Sequence, residues 1–220
     1  MAESGPRRKL AAILAADVVG FSRLMGENED RTLRNLKACR ALTDEAIKIN
    51  HGRVFGSAGD SIIAEFASPV DAVVAATEFQ RNLRDRNEGV SDEDQMLFRV
   101  GLNLGDVIIE GDNLYGDGVN VAARLEATAE PGGITLSGKF YDEVSRKLDM
   151  SFVSTGEQVM KNITNPVPTY KIEVSALPKT EAKSETESIV ETSAEDQGST
   201  SVQILDDKPP AIAVLPFTNM

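Results

Sequence analysis

Residues 9–17, KLAAILAAD, constrain the fold most, because residues 10–16 are apolar without a break and Asp17 then ends the run. A bilayer-spanning helix needs about 20 such residues, so the stretch is too short to cross a membrane and reads as a buried strand. The basic residues ahead of it give the N-terminus the outline of a secretory leader, but Asp17 interrupts the apolar core that a leader requires. A cytoplasmic chain is expected.

The periodicity that follows predicts strand, helix, hairpin, helix, hairpin, helix. Residues 28–50 read as a helix with Leu33, Leu36, Leu42, Ala46 and Ile49 as its apolar positions, and HGRVFGSAGDSIIAEF as a hairpin turning through residues 56–60. Ser68 and Pro69 open a second helix that runs to Arg86. After a charged loop, FRVGLNLGDVIIEG reads as a hairpin turning near Gly105, and residues 117–129 as a helix. GGITLSG, MSFVSTG and PTYKIEV supply further strands.

Beyond Val174 the composition changes. Residues 176–209 are rich in Glu, Ser and Thr and lack aromatic residues, so they read as an acidic linker, while PAIAVLPFTNM over 210–220 reads as the first strand of a further domain. The folded part is thus expected over residues 1–175. A net charge of −12 argues against nucleic-acid and anionic-membrane partners, since both require a basic face. The single cysteine, Cys39, sits in a helical pattern and reads as a buried thiol; the single histidine, His51, reads as a capping or surface residue.

Four polar residues stand out. Asp17 and Asp60 each lie at the edge of an apolar run, where alone they read as a strand-end residue and a turn residue, and together as a pair able to hold divalent ions on a triphosphate. Asn120 and Arg124, in YGDGVNVAAR, fall one helical turn apart on one face. That spacing suits a grip on ribose and phosphate, although taken alone it reads first as an ordinary solvated helix face.

ADVVGFS, AGDSIIAEF, LYGDGVNVAARLE and VMKNITNPVPTYKI, in that order between residues 8 and 174, resemble the class III nucleotidyl cyclases. The resemblance implies an α+β, ferredoxin-like palm fold, an antiparallel sheet with helices on one face. It implies conversion of a nucleoside triphosphate, with ATP favoured, to the 3′,5′-cyclic monophosphate and pyrophosphate. Asp17 and Asp60 would ligate two Mg2+ ions, with Mn2+ as the alternative ion. The backbone of Val18, Gly20, Phe21 and Ser22 would face the triphosphate, Asn120 would orient the ribose, Arg124 would stabilise charge on the α-phosphoryl group, and Lys161 would pair with the terminal phosphates. A head-to-tail homodimer is implied, one chain giving the aspartates and the other Asn120, Arg124 and Lys161. The two purine-reading positions depart from the family pattern, with Gly56 in place of Lys and Asn113 in place of Asp or Thr. This departure keeps open an alternative, a non-catalytic or weakly catalytic nucleotide-binding regulatory domain. A diguanylate-cyclase palm is disfavoured because AGDSI is not a GGDEF-like turn. AVLPF resembles the opening of the TolB-like segment that precedes tetratricopeptide repeats in some bacterial cyclases.

Overall fold

The computed structural model describes residues 7–163 and 165–173. The linker expected over 176–209 and the strand expected over 210–220 lie outside the described residues.

Strand β1 (Arg7–Val18) is a long interior strand of the sheet. It lies between β3 (Ser61–Phe66) and β4 (Phe98–Glu110) and pairs antiparallel with β4 from Arg7 opposite Ile109 to Val18 opposite Phe98. With β2 (Arg53–Ala58), β6 (Ile134–Ser137), β7 (Phe152–Gln158) and β8 (Val167–Ile172), the order is β2-β3-β1-β4-β6-β8-β7. The short β5 (Asn113–Tyr115) pairs with the far end of β4. All pairings are antiparallel except β4 with β6.

The unbroken apolar run of β1 follows from burial on both faces. Ala12, Leu14 and Ala16 join the large core made with α2 (Glu29–Ile49), α3 (Pro69–Glu88) and α5 (Gly138–Val144). Ala11, Ile13 and Ala15 face the other way, into a smaller cluster with Val107, Leu114 and Ala122. Ala122 belongs to α4 (Asp117–Thr128), so the expected sheet with helices on one face holds for α2, α3 and α5, while α4 lies on the opposite face.

Two expectations are corrected. FRVGLNLGDVIIE is one continuous strand, and its turn comes at Gly111 and Asp112 rather than at Gly105. Gly105 marks a close approach instead, because a Cβ there would lie 2.7 Å from Gly118 Cα. Gly101 is tighter still, with a Cβ falling 2.2 Å from both Ala122 O and Glu126 N. These glycines let α4 settle directly on the sheet. Gly101→Ala is therefore expected to lower stability by about 1–3 kcal/mol, read as a shift in urea midpoint at unchanged slope. The second correction concerns residues 28–50, where Leu33 and Ile49 are exposed and the buried face is built from Thr32, Leu36, Cys39, Thr43, Ala46 and Ile47. Cys39 is buried as expected, and burial pushes its thiol pKa up. His51 is exposed at the end of α2 with φ 60°.

Candidate active site

Asp17 sits one residue before the end of β1, on the face that carries α4. Asp60 sits in the turn between β2 and β3, and its Oδ2 accepts the Val18 N–H at 3.2 Å, which ties that turn to the end of β1. Directly opposite Asp17 in the β1–β4 ladder is Arg99, whose Nη2 lies 4.0 Å from Asp17 Oδ2. The Nε of Arg99 lies 3.3 Å from Glu126 Oε1 on α4. Both of these atoms are buried, and neither has an aligned hydrogen bond. The Asp17 carboxyl is pushed up to about 7, first by burial, then by its hydrogen bond with Asp60 and the charges of Asp60 and Glu126, with Arg99 opposing. Glu126 is raised mainly by burial, with Arg99 opposing.

Two carboxyls held close enough to compete for a proton are the donors a divalent cation would bridge. Among the described residues no three His, Cys, Asp or Glu side chains form a ready metal cage. Mg2+ is commonly held by one or two carboxylates and completes its shell with water and substrate phosphates. The residues therefore fit the expected ion.

Past Asp17 the chain turns through Gly20, at φ 69° and ψ 28°, a left-handed conformation that glycine adopts without strain, and enters α1 (Phe21–Glu27). The Val18 N–H is engaged by Asp60, and the Val19 N–H donates to Leu97 O at 2.8 Å. The amides remaining to face a phosphate along this stretch are those of Gly20, Phe21 and Ser22.

Asn120 and Arg124 are exposed on α4, and neither side chain bonds to another described residue. Four residues along a helix separate side chains by about 40°, so the two share a face; two residues separate them by about 200°. Arg124 therefore points away from Glu126, the α4 residue that reaches the Asp17 cluster. Within one chain Arg124 is thus turned about 160° and Asn120 about 120° round α4 from the side chain that reaches the Asp17 cluster. Lys161 is exposed in the loop between β7 and β8, beside buried Met160. Asn162, Ile163 and Pro166 of that loop line a cavity of about 820 Å3 together with Asp117, Gly118 and Val121 at the start of α4.

Gly56 lies on β2 at a β-bulge, and a Cβ there would stand 3.3 Å from the Ile63 Cβ. Asn113, at the start of β5, is exposed. Arg53 of β2 donates to the Asp112 carbonyl at 2.8 Å and so links the strand of Gly56 to the turn before Asn113.

Residues 5–174 match the family described as "Adenylate and Guanylate cyclase catalytic domain". The chain belongs to this family. The whole chain is 40% identical to a candidate adenylate cyclase of Rhizobium meliloti (strain 1021) over 221 residues, which is 100% of this chain and 35% of that protein. It is 28% identical over 149 residues to an adenylate cyclase of Glutamicibacter nicotianae, covering 67% of this chain and 35% of that one. The chain thus spans about a third of these relatives. Among solved structures, an adenylate/guanylate cyclase/hydrolase from Silicibacter pomeroyi is 37% identical, with a TM-score of 0.72 over 76% of this chain and 98% of that one. The adenylyl cyclase CyaB from P. aeruginosa shares the fold at 21% identity and a TM-score of 0.66, over 77% of this chain and 96% of that one.

The cyclase domain contains two polar residues that sequence reasoning passed over, Arg99 and Glu126. The alternation Phe98, Arg99, Val100 does place Arg99 on the face opposite the large core. Its pairing with Asp17 becomes visible only once the strand register is known.

Proposed function

We propose that this chain is the catalytic domain of an adenylate cyclase, which converts ATP to 3′,5′-cyclic AMP and pyrophosphate at two equivalent sites of a cytoplasmic head-to-tail homodimer. The observation that carries the proposal is the divergent presentation on α4. The Asp17/Asp60 pair gathers on the Glu126 side, while Asn120 and Arg124 lie elsewhere round the helix and are exposed, which supports the reading that a second copy completes each site. On this reading Asp17 and Asp60 hold two Mg2+ ions, or Mn2+ in their place. When bound, such ions lower the pKa of the ribose 3′-hydroxyl and neutralise the β- and γ-phosphates.

The remaining work falls to the chain itself. The amides of Gly20, Phe21 and Ser22 receive phosphate oxygens. Asn120 of the second copy holds the ribose so that its 3′-oxygen lies in line with the α-phosphorus. As the bond from that oxygen to phosphorus forms and the bond to the β-phosphate oxygen breaks, Arg124 stabilises the charge on the α-phosphoryl oxygens, and the hydroxyl proton leaves to solvent. Lys161 pairs with the departing pyrophosphate. In the same reading, residues 210–220 open a TolB-like segment joined through the acidic stretch 176–209.

A second reading, a regulatory domain that binds nucleotide without turning it over, is favoured by one observation. Gly56 has no side chain to read a purine, and Ile63 crowds the space in which one would start. Separating the products formed from ATP and from GTP, each with Mg2+ and with Mn2+, decides between the two. The proposal expects cyclic AMP and pyrophosphate in equal amounts. It also expects a preference for ATP over GTP weakened by roughly ten- to a hundredfold relative to a site with a complete purine-reading pair, since one buried hydrogen bond of discrimination is missing. Nucleotide binding without cyclic product under every condition contradicts it and supports the second reading.

A further inference from the structure

Gly56 leaves one of the two expected purine-reading positions without a side chain, yet β2 carries a cation close by on the same face. Arg53 is paired with Glu65 across the β2–β3 ladder and Gly56 with Ile63, so all four lie on the side of the sheet that carries α4. The Arg53 Nε and Nη2 engage Glu65 Oε1 at 2.8 and 2.5 Å, and its Nη1 donates to the Asp112 carbonyl at 2.8 Å, directly before Asn113. Lys9 of β1 pairs with the other oxygen of the same carboxylate. Burial works to raise the Glu65 pKa, but the hydrogen bonds and charges of Lys9 and Arg53 outweigh it and hold the group ionised. One carboxylate cannot neutralise two cations. The cluster therefore keeps a surplus positive charge, and the Arg53 side chain, 46% exposed, has N–H groups left over once those contacts are made, since a guanidinium carries five.

The surface beside Arg53 suits a base. Phe55, two residues along β2, packs with Ile63 and with Val119 and Ala123 of α4, all of them only partly buried. Val119 adjoins Asn120, the residue proposed to hold the ribose. A purine on that ribose can lay its flat face on this apolar patch, with Arg53 and Asn113 beside the patch to meet its polar edge. We infer that Arg53 is the purine-reading residue of this chain, and that by donating to the acceptor edge of the base it admits GTP beside ATP. Guanine offers two neighbouring acceptors, O6 and N7, whereas adenine offers N7 beside the donor N6, so the free N–H groups of a guanidinium match guanine better. The inference rests on the proposed cyclase site for the place of the base.

The test uses 3′-deoxy-ATP and 3′-deoxy-GTP, which lack the attacking hydroxyl and cannot cyclise. Their binding to the purified chain with Mn2+ is followed by titration calorimetry. Arg53→Gln exchanges the guanidinium for an amide that matches adenine N6 and N7. It is expected to weaken the guanine analogue by about ten- to a hundredfold and to change the adenine analogue less than threefold, moving the ratio toward adenine at least tenfold. A smaller movement in a variant that thermal unfolding shows to be folded, or equal losses for the two analogues, overturns the inference. If Arg53→Gln does not fold, Arg53→Lys carries the test. It keeps a charge beside Glu65 but lacks the fork that spans carboxylate and base at once, and a shift of the same sign of at least threefold is expected.

A second measurement needs no variant. Inosine keeps O6 and N7 and lacks only the 2-amino group of guanine, so 3′-deoxy-ITP should bind the parent chain within threefold of 3′-deoxy-GTP. Weaker binding means that an acceptor reads the 2-amino group, a role closed to a guanidinium, and the inference is wrong. A parent chain that binds neither purine analogue overturns the inference together with the nucleotide site it rests on. Discrimination that follows Arg53 in a chain yielding no cyclic product from either nucleotide faults the catalytic reading and leaves this inference standing.

Discussion

Asp17→Ala and Asp60→Ala are each expected to lower cyclic-nucleotide formation by more than about a hundredfold in a protein that still folds. Substituting a group that merely supports a metal ligand costs about ten- to a hundredfold in activity or affinity, so removing the ligand itself costs more. The fold should survive because both residues lie at the ends of strands, and because Asp17 is not a favourable charge where it sits. Burial and Asp60 have already raised its pKa to about 7, so its ionised form opposes folding at neutral pH and its removal relieves a repulsion. For Asp60 the interactions lost are the hydrogen bond from the Val18 amide and the one shared with Asp17. Steady-state assays beside thermal unfolding check this. A folded variant that keeps more than about a tenth of parental activity removes that carboxylate from the ion-binding pair.

Arg124→Ala is expected to lower kcat by about a hundred- to a thousandfold, with little change in KM. That is the signature of a group that acts on charge present only in the transition state. Stability should be nearly unchanged, since Arg124 is exposed and bonds to no other described residue. A parallel rise in KM at constant kcat would assign Arg124 to ground-state binding instead.

The parts of this molecule that were legible in the sequence are those whose signal is local. The strand carrying Asp17 announced itself because burial on both faces leaves an unbroken apolar run, and α3 because Ser68 accepts a hydrogen bond from the Asp71 amide directly ahead of a long periodic stretch. The short helices were not legible. FSRLMGE buries none of its residues and has no side-chain cap, so neither periodicity nor a start signal marks it. GKFYDEV is one brief helix after a strand, too short for an apolar stripe to repeat. Gly105 misled for a physical reason, since glycine serves both turns and close backbone approach and the sequence does not say which. In the site, Asp17, Asp60, Asn120 and Arg124 were conspicuous by residue type and spacing. Arg99 and Glu126 were not, because their meaning depends on the register of β1 with β4 and on which side of α4 meets the sheet.

That the two halves of the site come from different chains is the central claim, and mixing two inactive variants tests it most directly. Asp17→Ala and Arg124→Ala chains, each inactive alone, are refolded together in equal amounts, and the mixed dimer is confirmed by differential tagging. One of its two sites receives intact carboxylates from one chain and an intact Asn120/Arg124 pair from the other. Statistical mixing then predicts recovery of roughly a quarter of parental activity. Mixed dimers that form and remain as inactive as the separate variants would show that each site is built within a single chain, and would contradict the account.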